Sequence, residues 1–229
     1  MHSKKWLGTN MNQCFVVVFA REPQEGRVKT RLAESIGAQK ACHIYETLLT
    51  HTLDVLNCTD HELIVYLTDE SNRCFLQDSK YPDNLSIRQQ SLGDLGNKMR
   101  TMFEELFAEG AGKIVLVGSD CPWLSSKHIN QAFYYLTNND VVLGPADDGG
   151  YYLIGLSKKC LDLFSGVEWS TAKVLEQTKA LILQHHLSYR ELETLSDVDY
   201  IEDIRRYFNN VKSVPQTLRP IALIEGLNI

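Results

Sequence analysis

Two kinds of hydrophobic pattern alternate along this chain. Cys14 to Ala20 is an unbroken β-branched and aromatic run, the pattern of a strand buried on both faces. Ala41, Ile44, Tyr45, Leu48, Leu49, Leu53 and Leu56 then recur as one helical stripe. Glu62 to Thr68 reads as a second strand, and Leu85 to Ile87 as a short third. Met99, Met102, Phe103 and Leu106 put a helix over Leu95 to Phe107. Lys113 to Gly118 is the clearest strand of all. Ser125 or Ser126 caps a helix carrying Ile129, Phe133 and Leu136. Two strands, Asp140 to Gly144 and Tyr151 to Gly155, flank a turn-rich Pro145-Ala-Asp-Asp-Gly-Gly150. A helix through Val174, Leu175, Leu181 and Ile182 follows, then a short strand near Leu187 to Leu192. Asp199-x-x-Glu202 reads as a capping box ahead of Ile204 and Phe208.

Strands separated by helices mean βαβ units, so the expectation is a single three-layer α/β domain. Its sheet is mainly parallel, flanked by helices, with the strand at 113–118 near the centre. The 229 residues suit one large domain or two small ones. No repeat or Pro/Gly/Ser linker divides them, so residues 14–210 are read as the domain. Residues 1–13 are an N-terminal extension and 211–229 a C-terminal tail.

Charge narrows the partners. With 23 Lys and Arg against 29 Asp and Glu, the net charge is −6, and no global basic field exists to hold nucleic acid. Any anion must be gripped locally. No apolar run approaches the ~18 residues of a membrane span, and Trp6-Leu-Gly-Thr-Asn10 is no signal-peptide core. The expected compartment is the cytoplasm. Six cysteines (14, 42, 58, 74, 121 and 160) show no zinc-site spacing and are expected to be reduced thiols.

Open α/β sheets bind ligands beyond the carboxyl ends of their strands, so those loops hold the candidate chemistry. The first, Arg21-Glu-Pro-Gln-Glu-Gly-Arg-Val-Lys-Thr-Arg31, gathers four cations in an acidic chain. Guanidinium forks and a lysine suit a polyphosphate, although a solvated loop gives the same composition. Lys29 and Arg31 are expected at the surface. Gly118-Ser-Asp-Cys-Pro122 places Asp120 as a hard-metal ligand or a turn residue. Cys121 has no neighbouring His and reads as packing. In Asp147-Asp148-Gly149-Gly150, the carboxylates accept hydroxyl hydrogen bonds and the glycines permit close approach, while Asp-Gly and Gly-Gly also build hairpins. Asp199 is a second carboxylate for the metal or simply a helix N-cap. Asp120 and Asp199 both follow strands, which predicts that they converge at one rim.

Six motifs occur in order: Phe19-Ala-Arg-Glu-Pro-x-x-Gly-Arg-Val-Lys-Thr-Arg-Leu32, Gly93-Asp-Leu-Gly96, Gly118-Ser-Asp-Cys-Pro122, Gly144-Pro-Ala-x-Asp-Gly-Gly-Tyr-Tyr-Leu-Ile-Gly155, Trp169-Ser-Thr171 and Asp197-Val-Asp199. Together they resemble the bacterial DUF2064 family of glycosyltransferase-like proteins of uncharacterised activity. That family sits in the nucleotide-diphospho-sugar transferase superfamily, of GT-A-type fold, beside molybdenum-cofactor and phospholactate guanylyltransferases. The resemblance spans about residues 14–208. It implies that Arg21, Gly26, Arg27, Lys29 and Arg31 wrap nucleotide phosphates, with Lys29, Arg31 and Asp120 in the catalytic machinery. It implies further that Gly93 and Gly96 lie by the nucleoside, that Asp148, Gly149 and Gly150 line the acceptor or sugar side, and that Asp120 and Asp199 ligate Mg2+ or Mn2+. Two positions depart from the pattern: Glu25 replaces a common proline, and Tyr200-Ile201 a common Thr-Pro.

The implied activity is transfer from a nucleotide-activated donor to a small-molecule acceptor. Glycosyl transfer from a nucleoside-diphosphate sugar is placed first. Nucleotidyl transfer from a nucleoside triphosphate to a phosphorylated small molecule is the alternative. A non-catalytic nucleotide-binding module is the third.

Overall fold

The computed structural model describes residues 13–68, 74–77, 85–224 and 227. Seven strands form one sheet: β1 (Gln13–Ala20), β2 (Glu62–Leu67), β3 (Ser86–Gln89), β4 (Ala111–Val117), β5 (Val141–Pro145), β6 (Tyr151–Leu156) and β7 (Tyr189–Glu191). Their order is β3-β2-β1-β4-β6-β5-β7, which puts β4 in the centre as its apolar run predicts. The pairs β2/β3, β1/β2, β1/β4 and β5/β7 are parallel; β6 runs antiparallel to both β4 and β5. The Asp147–Gly150 turn causes that reversal, because it returns the chain directly into β6 with no crossover helix between.

The helices are α1 (Thr30–Ile36), α2 (Ala38–Asn57), α3 (Leu95–Ala108), α4 (Ser126–Tyr135), α5 (Val174–Gln184), α6 (Ile201–Asn210) and the single turn α7 (Arg219–Ala222). Side chains alternate across β1 and divide the core in two. Val16 and Val18 pack with Leu49, Leu53 and Leu56 of α2 and Ile129 and Phe133 of α4. Phe15 and Val17 pack on the other face with Met99, Phe103 and Leu106 of α3 and Ile182 of α5. Each such fully buried side chain contributes about 2 kcal/mol. A third cluster joins α1, α2 and α6 and takes in Leu218, Ile221 and Leu227 from the C-terminal segment.

Cys14, Cys42, Cys58, Cys121 and Cys160 take part in no disulfide. The side chain of Cys74 and residues 1–12 of the N-terminal extension lie outside the described residues. No described helix is long and apolar enough to cross a membrane.

Candidate active site

The carboxyl ends of β1, β4, β5 and β7 share one edge of the sheet, and the chain leaves them as loops 21–29, 118–125, 146–150 and 192–200. The last loop is laid across that edge by main-chain bonds. Leu192 donates to the Leu143 carbonyl (2.8 Å), Leu195 to that of Pro145 (3.0 Å) and Val198 to that of Asp120 (3.0 Å). Asp199, one residue further, therefore stands beside Asp120.

Lys29 lies between them. Its Nζ donates to Asp120 Oδ2 at 2.7 Å and to Asp199 Oδ1 at 3.1 Å, while Arg31 Nη1 donates to Asp199 Oδ2 at 3.1 Å. The Arg31 side chain is 62% exposed, as a surface position should be, but that of Lys29 is only 5% exposed. The surface expectation for Lys29 is thus corrected, and the backbone gives the reason. Lys29 adopts a left-handed conformation (φ 46°, ψ 48°) immediately before α1, which sends its side chain inward. That conformation costs a non-glycine residue about 1 kcal/mol, and such strain concentrates at functional sites. Burial pulls the Lys29 pKa down, yet the charges of Asp120 and Asp199 outweigh it and hold the ammonium above its ordinary range.

The reading of Asp199 as helix N-cap is also corrected. Tyr200 is the N-cap of α6, and Asp203, not Glu202, supplies the capping carboxylate. Asp203 Oδ2 accepts from the amides of Asp199 (3.0 Å) and Tyr200 (2.8 Å). The helix begins one residue later than the Asp199-x-x-Glu202 spacing predicts, and this leaves the Asp199 carboxylate available to Lys29 and Arg31.

Lys29, Arg31, Asp120 and Asp199 line a cleft of about 330 Å³ together with Arg21 and Tyr45. Tyr45 and Ser119 are residues that sequence reasoning missed. The Tyr45 hydroxyl accepts from the Arg21 amide (2.8 Å), donates to the Arg21 carbonyl (3.2 Å) and lies 3.2 Å from Ser119 Oγ. It thereby ties the cationic loop to the strand end carrying Asp120. Tyr45 belongs to an apolar stripe, and only its hydroxyl hinted at this second duty.

Asp197 is the third omission. Its Oδ1 is shut away from solvent with no hydrogen-bond partner among the described residues. Burial, then the charge of Asp120, pushes its carboxyl pKa well above the usual range. An enclosed carboxylate oxygen without a partner, next to two converging carboxylates, suits a hard divalent cation such as Mg2+ or Mn2+. Among the described residues, no group of three His, Cys, Asp or Glu side chains could hold a metal unaided. Waters and substrate phosphates would supply the remaining oxygens, as is usual for magnesium.

The other expected site residues do not line this cleft. Gly26 (φ +75°) and Arg27 form a turn in the cationic loop, where the Arg27 carbonyl accepts from Arg21 Nη1 at 3.5 Å. Glu25 faces a separate cleft beside Lys40, Cys42 and His43. Gly93 lines a third cleft with Asp94, Asn97 and Arg100. Gly96 is needed for packing: a Cβ there would stand 2.1 Å from Trp169 Nε1. Gly149 (φ +86°) is needed for the same reason, since its Cβ would stand 2.2 Å from the Ala172 carbonyl oxygen. The Asp148 carboxylate accepts from the Gly150 amide at 2.8 Å and lies within electrostatic range of Asp197. Cys121 is buried, and burial followed by the charge of Asp197 pushes its thiol pKa well up, in keeping with a packing role.

A profile of DUF2064, a family of uncharacterized proteins conserved in bacteria, matches residues 52–171. The chain belongs to this family. It is 23% identical over 181 residues to 2-phospho-L-lactate guanylyltransferase of Methanocaldococcus jannaschii, an alignment covering 79% of this chain and 77% of that one. Among solved structures it is similar to a candidate nucleotide-diphospho-sugar transferase from Desulfovibrio desulfuricans G20. That likeness has a TM-score of 0.85 and 28% identity, and covers 94% of this chain and 96% of the other. The manganese complex of Rv0371c from Mycobacterium tuberculosis H37Rv shares the fold, with a TM-score of 0.54, 19% identity and coverage of 87% and 99%. The architecture of this DUF2064 chain is accordingly that of the nucleotide-diphospho-sugar transferases.

Proposed function

We propose that this protein is a divalent-metal-dependent nucleotidyltransferase acting on a nucleoside triphosphate and a phosphorylated small molecule. The observation that carries the reading is Lys29, held between Asp120 and Asp199 in a cleft that also presents Arg21 and Arg31. Three cations around two carboxylates match a metal-bound triphosphate. A nucleoside-diphosphate sugar brings one phosphate fewer to neutralise. The guanylyltransferase likeness, which extends over 79% of the chain, supports the same choice. Nucleotidyl transfer therefore displaces the glycosyl transfer that the resemblance places first.

In the proposed reaction an acceptor phosphate oxygen attacks the α-phosphorus. The bond from that phosphorus to the β-bridging oxygen breaks, and pyrophosphate leaves with the electron pair. A metal held by Asp120 and Asp199, with Asp197 close by, would offset charge on the phosphates. Lys29 and Arg31 would grip the non-bridging oxygens and stabilise charge building on the leaving pyrophosphate. Arg21, fixed by Tyr45, would orient the phosphate chain.

The test is product analysis by phosphorus NMR. The protein is incubated with each nucleoside triphosphate, a set of phosphorylated hydroxy acids and sugars, and Mg2+ or Mn2+. Metal-dependent pyrophosphate release with the paired signals of a new disubstituted diphosphate is expected. Release of nucleoside diphosphate from nucleotide sugars would reinstate glycosyl transfer. Nucleotide binding without turnover of any donor would leave the binding module.

A further inference from the structure

We propose that Lys29 acts as a built-in counter-ion that keeps the Asp120–Asp199 site closed to a divalent cation until a polyphosphate draws the lysine away. This inference rests on the metal-site reading above and concerns how that site is loaded. Its starting point is occupancy. Lys29 Nζ is within hydrogen-bond distance of one oxygen of each aspartate, 2.7 Å and 3.1 Å away, and Arg31 takes the second oxygen of Asp199 at 3.1 Å. Three of the four carboxylate oxygens already face a cation. A divalent ion bound to the same pair must approach its oxygens to about 2.1 Å. That would place it against the ammonium, whose side chain is buried, and two cations so close repel.

The lysine must therefore move before the metal can settle. Among the described residues lining the cleft, Arg21 and Arg31 are cations and Thr30 and Tyr45 carry only neutral hydroxyls, so none offers Nζ an anionic partner in place of the aspartates. A phosphate chain does offer one. An incoming polyphosphate gives Lys29 new acceptors, releases Asp120 and Asp199, and brings oxygens that complete the metal's shell. Metal and polyphosphate then bind together, each raising the affinity of the other by the same factor. The left-handed backbone at Lys29 fits this role, because it aims the side chain at the aspartates from the end of the loop that faces the cleft.

Equilibrium dialysis of Mn2+ tests the proposal with inorganic tripolyphosphate, which needs no knowledge of the base. Chelated metal crosses the membrane freely, so excess manganese on the protein side reports what the protein binds. Without tripolyphosphate, Lys29→Gln should bind Mn2+ about tenfold more tightly than the native chain, and Lys29→Arg should bind as weakly as the native chain. Equal or weaker binding by folded Lys29→Gln overturns the proposal. A second measurement avoids any variant. In the native chain labelled with 13Cε-lysine, the Lys29 resonance should shift when Mg2+ and tripolyphosphate are added together and stay put with Mg2+ alone. A resonance that moves with Mg2+ alone, or never moves while the ternary complex forms, also overturns it. If the native chain retains no Mn2+ even with tripolyphosphate, the metal-site reading itself has failed.

Discussion

Asp203 accepts a hydrogen bond from the backbone amide of Asp199 at 3.0 Å, although Asp199 is the residue whose type and position favour it as the cap of the helix. This division of labour lets one carboxylate serve the helix and the other serve the cleft. Replacing Asp203 with alanine leaves the amides of Asp199 and Tyr200 without their acceptor. The expected loss is about 1 kcal/mol, the usual cost of a missing cap, measured by urea denaturation. Nucleotide affinity should fall as well, because Asp199 becomes the nearest replacement acceptor. Glu202→Ala, at an exposed position, should change stability by less than about 0.5 kcal/mol. Equal effects from the two substitutions would reverse the assignment of the cap.

Lys29→Ala and Arg31→Ala should both weaken nucleotide binding, but only the first should cost substantial stability. Removing the buried ammonium strips the main counter-charge from Asp120 and Asp199 and costs about 1–3 kcal/mol. Arg31 is exposed, and its loss should stay within about 0.5 kcal/mol. The pH dependence has a defined sign. The folded-state pKa of Lys29 is raised above its unfolded value, so its stabilisation is fully present below about pH 10. It is lost only as the pH climbs through the folded value. The stability gap between native and Lys29→Ala protein should therefore be flat from about pH 6 to 10 and close only in stronger alkali. A gap that closes near neutrality would contradict the ion pairs.

The strands and the central place of β4 were readable because buried strands demand unbroken apolar runs, as in Phe15–Ala20 and Ile114–Val117. The convergence of Asp120 and Asp199 was readable from their places after strands. What could not be read was burial set by backbone conformation. Nothing in Arg27-Val-Lys-Thr-Arg31 distinguishes an inward Lys29 from an outward Arg31 until the left-handed φ is known. Asp197 was hidden for a similar reason. Nothing in Asp197-Val-Asp199 tells which carboxylate is enclosed, and only the structure buries an Asp197 oxygen while leaving Asp199 partly exposed. Gly96 and Gly149 were equally unreadable, since a glycine kept for packing looks the same in sequence as one kept for a ligand.

Those two glycines allow a direct check. Gly96→Ala would drive its Cβ to 2.1 Å from the Trp169 indole, and Gly149→Ala to 2.2 Å from the Ala172 carbonyl oxygen. Each should cost about 1–3 kcal/mol through overpacking, with positive φ adding to the second. Gly26→Ala shares the positive φ but meets nothing within 4 Å, so it should cost only about 1 kcal/mol of backbone strain. Thermal unfolding of the three variants would rank them. A harmless Gly96→Ala that nevertheless abolished nucleotide binding would place Gly96 against the ligand and not merely against Trp169.

Acid should loosen the Asp120 loop through His51. This buried histidine of α2 bonds through Nε2 to the Leu124 carbonyl at 3.2 Å and through Nδ1 to Thr217 Oγ1 at 2.8 Å. A carbonyl can only accept, so Nε2 carries the proton, and in the neutral ring that burial favours Nδ1 accepts from the threonine hydroxyl. Burial lowers the His51 pKa below its ordinary value. The unfolded chain therefore binds this proton at a higher pH than the folded one does. The stability tied to the neutral ring is present above about pH 6.5 and is lost as the pH falls towards the folded pKa. The slope from this one group is at most about 1.4 kcal/mol per pH unit. His51→Gln keeps a donor and an acceptor but cannot charge, so its stability should fall less steeply than the native chain's between about pH 6.5 and 5. Because Leu124 closes the loop that begins at Asp120, nucleotide affinity should weaken over the same interval in the native chain and less so in the variant. Proton NMR of the ring supplies the decisive reading: a His51 resonance titrating at or above pH 6.5 would refute the neutral, buried histidine.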